Sequence, residues 1–159
     1  MKKLFAFMVL GGLIIGCGDK KEKKDSFEVT RPKKEVKEAK AQPVGVPVDM
    51  NNKGVGPIKS VKFDAEINKD LAAKGEKTFS TICVACHMPD QKLIGPALKG
   101  IYDRRSPEWV MNMILVPDQM IKEDPIAKAL VAENNNAIMI NQNLSEEDAR
   151  AVAEYLRTF

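Results

Sequence analysis

A C-x-x-C-H motif at Cys83, Cys86 and His87 constrains this chain of 159 residues more than any other feature. Three chemical interpretations fit the motif: covalent attachment of a haem, contribution of ligands to a zinc site, and thiol–disulfide exchange. Each interpretation requires different partners elsewhere in the chain. The rest of the sequence therefore has to decide between them.

The zinc and dithiol interpretations lack the partners that they need. A structural zinc site uses four protein ligands, whereas the chain has one histidine and three cysteines, of which Cys17 lies near the N-terminus. Carboxylates or a second chain could complete a zinc site, but this is uncommon. A thioredoxin-type dithiol normally lies beside a strand of a mixed fold, and no alternating strand pattern is present here. Haem attachment is therefore favoured. The two cysteines would form thioether bonds with the haem, and the imidazole would bind its iron.

The single histidine also limits the opposite side of the iron. His87 is the only imidazole, so ligation by two histidines of one chain is excluded. A methionine thioether is a usual partner of a histidine ligand on a haem iron. We expect Met139, in a predicted loop before the last helix, to bind the iron, whereas Met88 adjoins His87 and cannot reach the opposite face. Three other methionines lie on or near a predicted helix and are expected to pack in the core: Met111, Met113 and Met120.

The first 16 residues resemble a bacterial lipoprotein signal peptide. Two lysines precede an apolar run from Leu4 to Ile15, which is too short to span a bilayer but suits the apolar part of a signal. Leu-Ile-Ile-Gly then precedes Cys17, an order typical of cleavage before a cysteine that becomes lipid-modified. An ordinary secreted signal and an uncleaved anchor are the alternatives. We expect residues 1–16 to be the signal and Cys17 to carry a lipid.

Residues 17–60 are expected to form a flexible, lipid-anchored tether. They combine charges of both signs with proline and glycine, a composition that buries too little apolar surface to offset the entropy lost on ordering. They carry 11 Lys/Arg and 7 Asp/Glu, whereas residues 61–159 carry 12 and 15. The basic pI therefore comes from the signal and the tether. No basic face with interleaved aromatic residues predicts binding to nucleic acid.

Residues 61–159 show helical periodicity. Pro117 is expected to end one helix, and long loops are expected before Tyr102 and before Leu144. The pattern predicts a small all-α domain of about four to five helices round one covalent haem. Four capping signals mark expected helix starts: Asn68, Ser106 before Pro107, Asp124 before Pro125, and Ser145 with Asp148.

Residues from about 65 to 159 resemble a class I, monohaem c-type cytochrome. The shared pattern is a first helix with a glycine and an aromatic residue, C-x-x-C-H, a Gly-Pro-x-Leu segment, a methionine loop, and a last helix with an aromatic-Leu pair. The matching residues here are Gly75 with Phe79, Cys83 to His87, Gly95 to Leu98, Met139, and Tyr155 with Leu156.

The resemblance implies several roles for these residues. The first and last helices would cross at Gly75, the carbonyl of Pro96 would accept a hydrogen bond from His87 Nδ1, and Leu98 would pack on the haem. One departure is Ile140, because family members often have proline after the methionine ligand. Arg104 and Arg105 could neutralise haem propionates, although exposed surface charge is the stronger expectation.

The expected function is electron transfer, not catalysis. The chain would carry electrons between partner proteins while a lipid on Cys17 holds it at the periplasmic face of a bacterial membrane. This membrane could be the inner or the outer one. Expected partners are a quinol-oxidising complex as donor and a terminal oxidase or periplasmic reductase as acceptor. A haem-based sensor or peroxidase-like enzyme with an open sixth iron position is an alternative, disfavoured because no second histidine exists. A fixed cytochrome subunit of a respiratory complex is another.

Overall fold

The computed structural model of this protein describes residues 45–159. The expected signal peptide, Cys17 and the tether as far as residue 44 lie outside the described residues. In the described part, no helix is long and apolar enough to cross a membrane. The account of the fold below therefore concerns residues 45–159 alone.

The described residues form an all-α domain, as predicted. Its helices are α1 (Lys69–Ile82), α2 (Pro107–Leu115), α3 (Pro117–Glu123), α4 (Pro125–Glu133) and α5 (Glu146–Tyr155), with 3₁₀ turns at Ile101–Asp103 and Leu156–Thr158. The short helix α3 was not predicted. Pro117 ends α2, as expected, but it also begins α3, because a proline in the first turn of a helix sacrifices no intrahelical hydrogen bond.

The predicted capping residues begin four of the five helices. Oδ1 of Asn68 accepts a hydrogen bond from the backbone N–H of Leu71, 3.0 Å away. The side chains of Ser106, Asp124 and Ser145 accept from the backbone three residues later in the same way. Each cap satisfies an N–H group that would otherwise lack a partner in the first helical turn. Local sequence chemistry therefore sets where these helices start.

Helices α1 and α5 cross in close contact at Gly75. A Cβ atom at Gly75 would lie 2.0 Å from the carbonyl oxygen of Ala151, so only glycine permits this approach. Glu154 of α5 is 1% exposed, and its Oε1 accepts a hydrogen bond from the backbone N–H of Asn68, 3.0 Å away. The crossing implied by the family resemblance is present. The main hydrophobic core beside it contains Phe79, Trp109, Val110, Met120, Ile126, Ala127, Val152 and Leu156.

Residues 45–60, here called the N-terminal strap, pack against the helices. Ile58 is 5% exposed and belongs to a second core cluster with Met111, Ala149 and Ala153. The expectation that the flexible tether extends to Ser60 is therefore wrong for residues 45–60. The prediction of flexibility fails because it considers only the small apolar surface of the strap. Much of the contact between the strap and the domain consists of hydrogen bonds from backbone groups of the strap to side chains on α2.

Asn112 of α2 is the main polar contact of the strap. This side chain is fully buried, and its Nδ2 donates to the carbonyls of Lys53 and Ile58, each at 2.9 Å. Its Oδ1 accepts from the backbone N–H of Ile58 at 2.9 Å. Ser106 Oγ donates to the carbonyl of Asn52 at 2.7 Å. These bonds hold the strap in one register.

Gly75→Ala is expected to destabilise the haem-loaded protein by about 2 kcal/mol, because the added methyl group overpacks a backbone contact between α1 and α5. The loss should exceed the gain of up to about 1 kcal/mol that alanine brings to a helix. Chemical denaturation measures the change. Gly45→Ala is the control, since a Cβ there meets nothing within 4 Å. A Gly75→Ala variant as stable as the parent would contradict this account of the crossing.

Asn112→Ala is expected to cost about 3 kcal/mol of folding free energy, because it leaves buried backbone groups of the strap without partners. Limited proteolysis should also cut the strap faster. The control is Gln119→Ala, which removes an exposed amide from the neighbouring helix α3. Unchanged stability and unchanged cleavage of the strap would show that Asn112 does not hold it.

Candidate functional site

The C-x-x-C-H motif lies at the end of α1, where the chain turns sharply. The N–H of Cys83 donates to the carbonyl of Phe79 at 2.8 Å and closes the helix. The N–H groups of Cys86 and His87 then both donate to the carbonyl of Cys83, at 3.1 and 2.9 Å. This turn places the side chains of Cys83, Cys86 and His87 along one wall of a cleft.

The cleft is mostly apolar, with a cavity volume of about 250 Å³. Besides the motif residues, Met139 and Leu98 line it, so the structure brings together the residues that the sequence predicted from distant segments. Burial raises the pKa of the Cys83 thiol to about 11, and a smaller contribution comes from neighbouring Cys86. An apolar cleft of this kind suits a flat, largely hydrophobic cofactor. Further apolar lining comes from Phe79, Val110, Ile114, Leu130, Val131 and Leu156.

The imidazole of His87 is held by the Gly-Pro segment. Its Nδ1 lies 3.1 Å from the carbonyl oxygen of Pro96, the contact that the resemblance implied. A proton on Nδ1 that donates to this carbonyl leaves Nε2 free to bind a metal. A Cβ at Gly95 would lie 2.4 Å from Cε1 and 2.8 Å from Nδ1 of His87, so Gly95 forms a cradle for the ring. The role of Gly95 was missed, although the Gly-Pro pair was noted.

Among residues 45–159, two methionines line the cleft, Met139 and Met113. Met111 and Met120 are buried, as expected for core residues, and Met120 Sδ accepts from the N–H of Val55 in the strap at 3.0 Å. Met88 is 37% exposed on the surface. It does not line the cleft, which agrees with its predicted exclusion from the site.

The loop that carries Met139 begins in a turn made by three asparagines. Asn134 is buried and its Nδ2 donates to the carbonyl of Leu130 at 2.7 Å. Asn135 and Asn136 have φ values of 57° and 60°, a left-handed conformation that asparagine tolerates better than most residues. Lys92 Nζ donates to the carbonyl of Glu133 at 2.7 Å and ties this turn to the segment after the motif.

The residues of the cleft fit a covalent haem. Two thiols and a nitrogen ligand occupy one wall, a thioether is available in the lining, and the remaining surface is apolar. Among residues 45–159, no group of three or more His, Cys, Asp or Glu side chains could hold a metal ion. The fold and the donor set together define a c-type cytochrome.

Comparison with known proteins agrees with this class. The sequence model of the cytochrome c family matches residues 72–159, so the chain belongs to the cytochrome c family. The chain is 46% identical to a cytochrome c from Rhodothermus marinus, with a TM-score of 0.63, over 65% of this chain and 88% of that one. An engineered form of that cytochrome bound to a carbene intermediate is also 46% identical, with the same coverage and a TM-score of 0.60. No curated protein sequence matches the chain.

Membership of this family identifies the cofactor as haem c, bound covalently through Cys83 and Cys86. The alternative interpretations of the motif as part of a zinc site or as a thiol–disulfide pair are thereby set aside. The strap, residues 45–60, ends before residue 72, where the match to the family model begins. It therefore lies outside the matched part of the chain.

Gly95→Ala is expected to weaken ligation by His87, because the new methyl group would occupy the space of the imidazole ring. The visible spectrum should show a mixture of spin states, and less haem-loaded protein should accumulate. Ala97→Gly, two residues along the same segment, is the control, since it adds no atoms. A Gly95→Ala protein with the parent's spectrum and yield would rule out the cradle.

Proposed function

We propose that this cytochrome is a membrane-tethered periplasmic electron carrier with one haem whose iron is bound by His87 and Met139. The observation that carries the proposal is the cleft itself, which joins the C-x-x-C-H motif to a thioether from a distant loop. The haem supplies one-electron redox chemistry when bound. The protein holds the proximal imidazole through Pro96 and Gly95 and surrounds the cofactor with apolar side chains.

Met139 is preferred over Met113 as the second ligand because of its setting. Met113 lies on α2 and packs against the main core, whereas Met139 lies in the loop between α4 and α5. Its neighbours Ile138 and Ile140 are 63% and 72% exposed, whereas Met139 is half-buried in the lining of the cleft. A soft sulfur ligand of this kind favours the ferrous state and raises the reduction potential.

Electron exchange would occur at the mouth of the cleft, through brief contacts with redox partners. Ile94, Ile138 and Ile140 line the cleft and are exposed by more than half. Three further apolar side chains are exposed within the motif or shortly after it: Val84, Met88 and Leu93. A small apolar surface around a redox centre suits weak, short-lived association, because transient electron-transfer complexes bury little area.

The remaining parts of the proposal come from the N-terminal sequence. A lipid on Cys17 would hold the domain at the periplasmic face of a bacterial membrane. The tether would raise its effective concentration near membrane partners. A quinol-oxidising complex as donor and a terminal oxidase or periplasmic reductase as acceptor suit such a carrier. A fixed place in a respiratory complex would be distinguished by co-purification in mild detergent.

A haem-based sensor or peroxidase-like enzyme is the competing function. The chain lacks a second histidine to move protons at an open iron position. For this chain the two functions differ in whether the sixth iron position is filled.

Carbon monoxide binding to the ferrous protein tests the proposed function. The parent is expected to keep its ferrous spectrum unchanged under carbon monoxide, because the Met139 sulfur occupies the sixth position. Met139→Ala should bind carbon monoxide readily and have a lower reduction potential. Met113→Ala is the matched variant and should behave like the parent. Ready binding by the parent would overturn the carrier function, and reversed behaviour of the two variants would overturn the choice of Met139.

A further inference from the structure

Two segments from different parts of the chain form opposite sides of the haem cleft. Residues 83–100, here called the motif segment, carry the C-x-x-C-H motif and the Gly-Pro pair, and residues 133–142, here called the loop segment, carry Met139. Within residues 45–159, a single hydrogen bond joins the two segments directly. In this bond, here called the Lys92 clip, Lys92 Nζ donates to the carbonyl of Glu133 at 2.7 Å.

The motif end of the clip has a backbone that is fixed to the haem motif. The N–H of Gly95 donates to the carbonyl of Cys86 at 2.8 Å, and the N–H of Leu93 donates to the carbonyl of Gly95 at 3.1 Å. Ile94, between these two residues, lines the cleft. Lys92 itself is exposed, so its side chain crosses the rim of the cleft on the outside.

The other end of the clip is the last residue of helix α4. The final carbonyls of a helix lack partners within the helix and carry the negative end of its dipole, a position that favours a lysine. Helix α4 has no basic residue in its own last turn, so Lys92 supplies this charge from another part of the chain. Asn134, directly after Glu133, already lines the cleft. The clip therefore fixes the point at which the loop segment leaves α4.

The loop that carries Met139 has few polar attachments to the body of the domain. In the part of the chain that the structure describes, the hydrogen bonds of residues 137–144 are local and join three pairs: Ala137 with Asn134, Gln142 with Ile140, and Asn143 with Asn141. Hydrogen bonding between this loop and the motif segment therefore depends on the Lys92 clip.

The other cations of the motif segment and of the residues after it do not reach the loop segment. Arg104 donates to two carbonyls of the motif segment. Arg105 is 3% exposed, so the expectation that it is an exposed surface charge is wrong, and it donates to a carbonyl of the strap and to that of Arg104. Lys99 pairs with Asp90 of its own segment at 2.9 Å. Lys92 differs from all three in joining the two sides of the cleft.

We propose that Lys92 is a positioning residue for the sixth iron ligand, because the Lys92 clip holds the loop that carries Met139 closed over the haem. An opened loop withdraws the sulfur and leaves the iron accessible to a competing ligand. The clip lowers the fraction of molecules in this open state. The inference rests on the proposed ligation by Met139 and adds the group that keeps this ligand in place.

Titration of the ferric haem-loaded protein with imidazole tests the clip, and the visible spectrum reports replacement of the sulfur. Lys92→Ala should lower the apparent dissociation constant for imidazole about three- to tenfold, because this constant follows the open fraction and one hydrogen bond is worth about that factor. Lys92→Arg should stay close to the parent, since a guanidinium can still donate to the carbonyl.

Lys99→Ala is the matched control for this titration. It removes the same side chain from the same segment, but its partner Asp90 lies in that segment as well. Imidazole binding should therefore remain that of the parent. An unchanged dissociation constant in Lys92→Ala, or an equal fall in Lys99→Ala, would overturn the proposal.

A double-mutant cycle with Met139→Ala separates the position of the sulfur from access to the cleft. In the Met139→Ala background no sulfur competes with imidazole, so Lys92→Ala should have no further effect on the dissociation constant. An equal fall in both backgrounds would overturn the proposal, because Lys92 would then control entry of the ligand and not the position of Met139.

Amide hydrogen exchange in the ferrous haem-loaded protein tests the clip without an added ligand. The N–H groups of Asn134, Asn136 and Ala137 close the turn that begins the loop segment. They should exchange about three- to tenfold faster in Lys92→Ala, because the loss of one hydrogen bond favours local opening by about that factor. They should keep the parent's rates in Lys99→Ala.

Unchanged exchange rates in Lys92→Ala would overturn the proposal. Failure of the carrier function has a different signature, since the parent itself would then bind carbon monoxide readily.

Discussion

The close contact of α1 with α5 is the interaction on which the rest of the domain depends. Gly75 brings the two backbones together, and Glu154 joins α5 to the residue that caps α1. Because α1 ends directly at Cys83, the orientation of this helix sets where the haem-binding motif lies. Packing far from the cofactor therefore determines the geometry of the cofactor cleft.

The segment that follows the C-x-x-C-H motif holds the imidazole of His87 in the cofactor cleft. Gly95 leaves room for the imidazole, and the Pro96 carbonyl fixes the ring orientation at 3.1 Å from Nδ1. The loop with Met139 closes the cleft after a turn of asparagines, two of them in left-handed conformations. With one histidine in the chain, a second iron ligand from the same chain would be of another residue type, and the proposed ligand Met139 lies in a distant loop.

The N-terminal strap gives this cytochrome a feature outside the matched family region. Its backbone is paired by the buried side chain of Asn112, and it contacts Arg105 through Pro47. Polar side chains of the helices thus stabilise a segment that has little apolar surface of its own. The strap therefore contacts both helix α2 and a residue that lines the haem cleft.

The sequence by itself determined four of the five helix starts, the all-α class and the cofactor chemistry, because capping residues and the C-x-x-C-H motif act over a few neighbouring positions. It also led to the proposal that Met139 is the second iron ligand, because the chain has a single imidazole and Met139 lies in a loop. Tertiary structure alone decided that residues 45–60 belong to the folded domain, that Gly95 accommodates His87, and that Arg105 is buried. These facts depend on contacts between residues distant in sequence, such as Asn112 with Ile58 and Arg105 with Pro47, which no local pattern records.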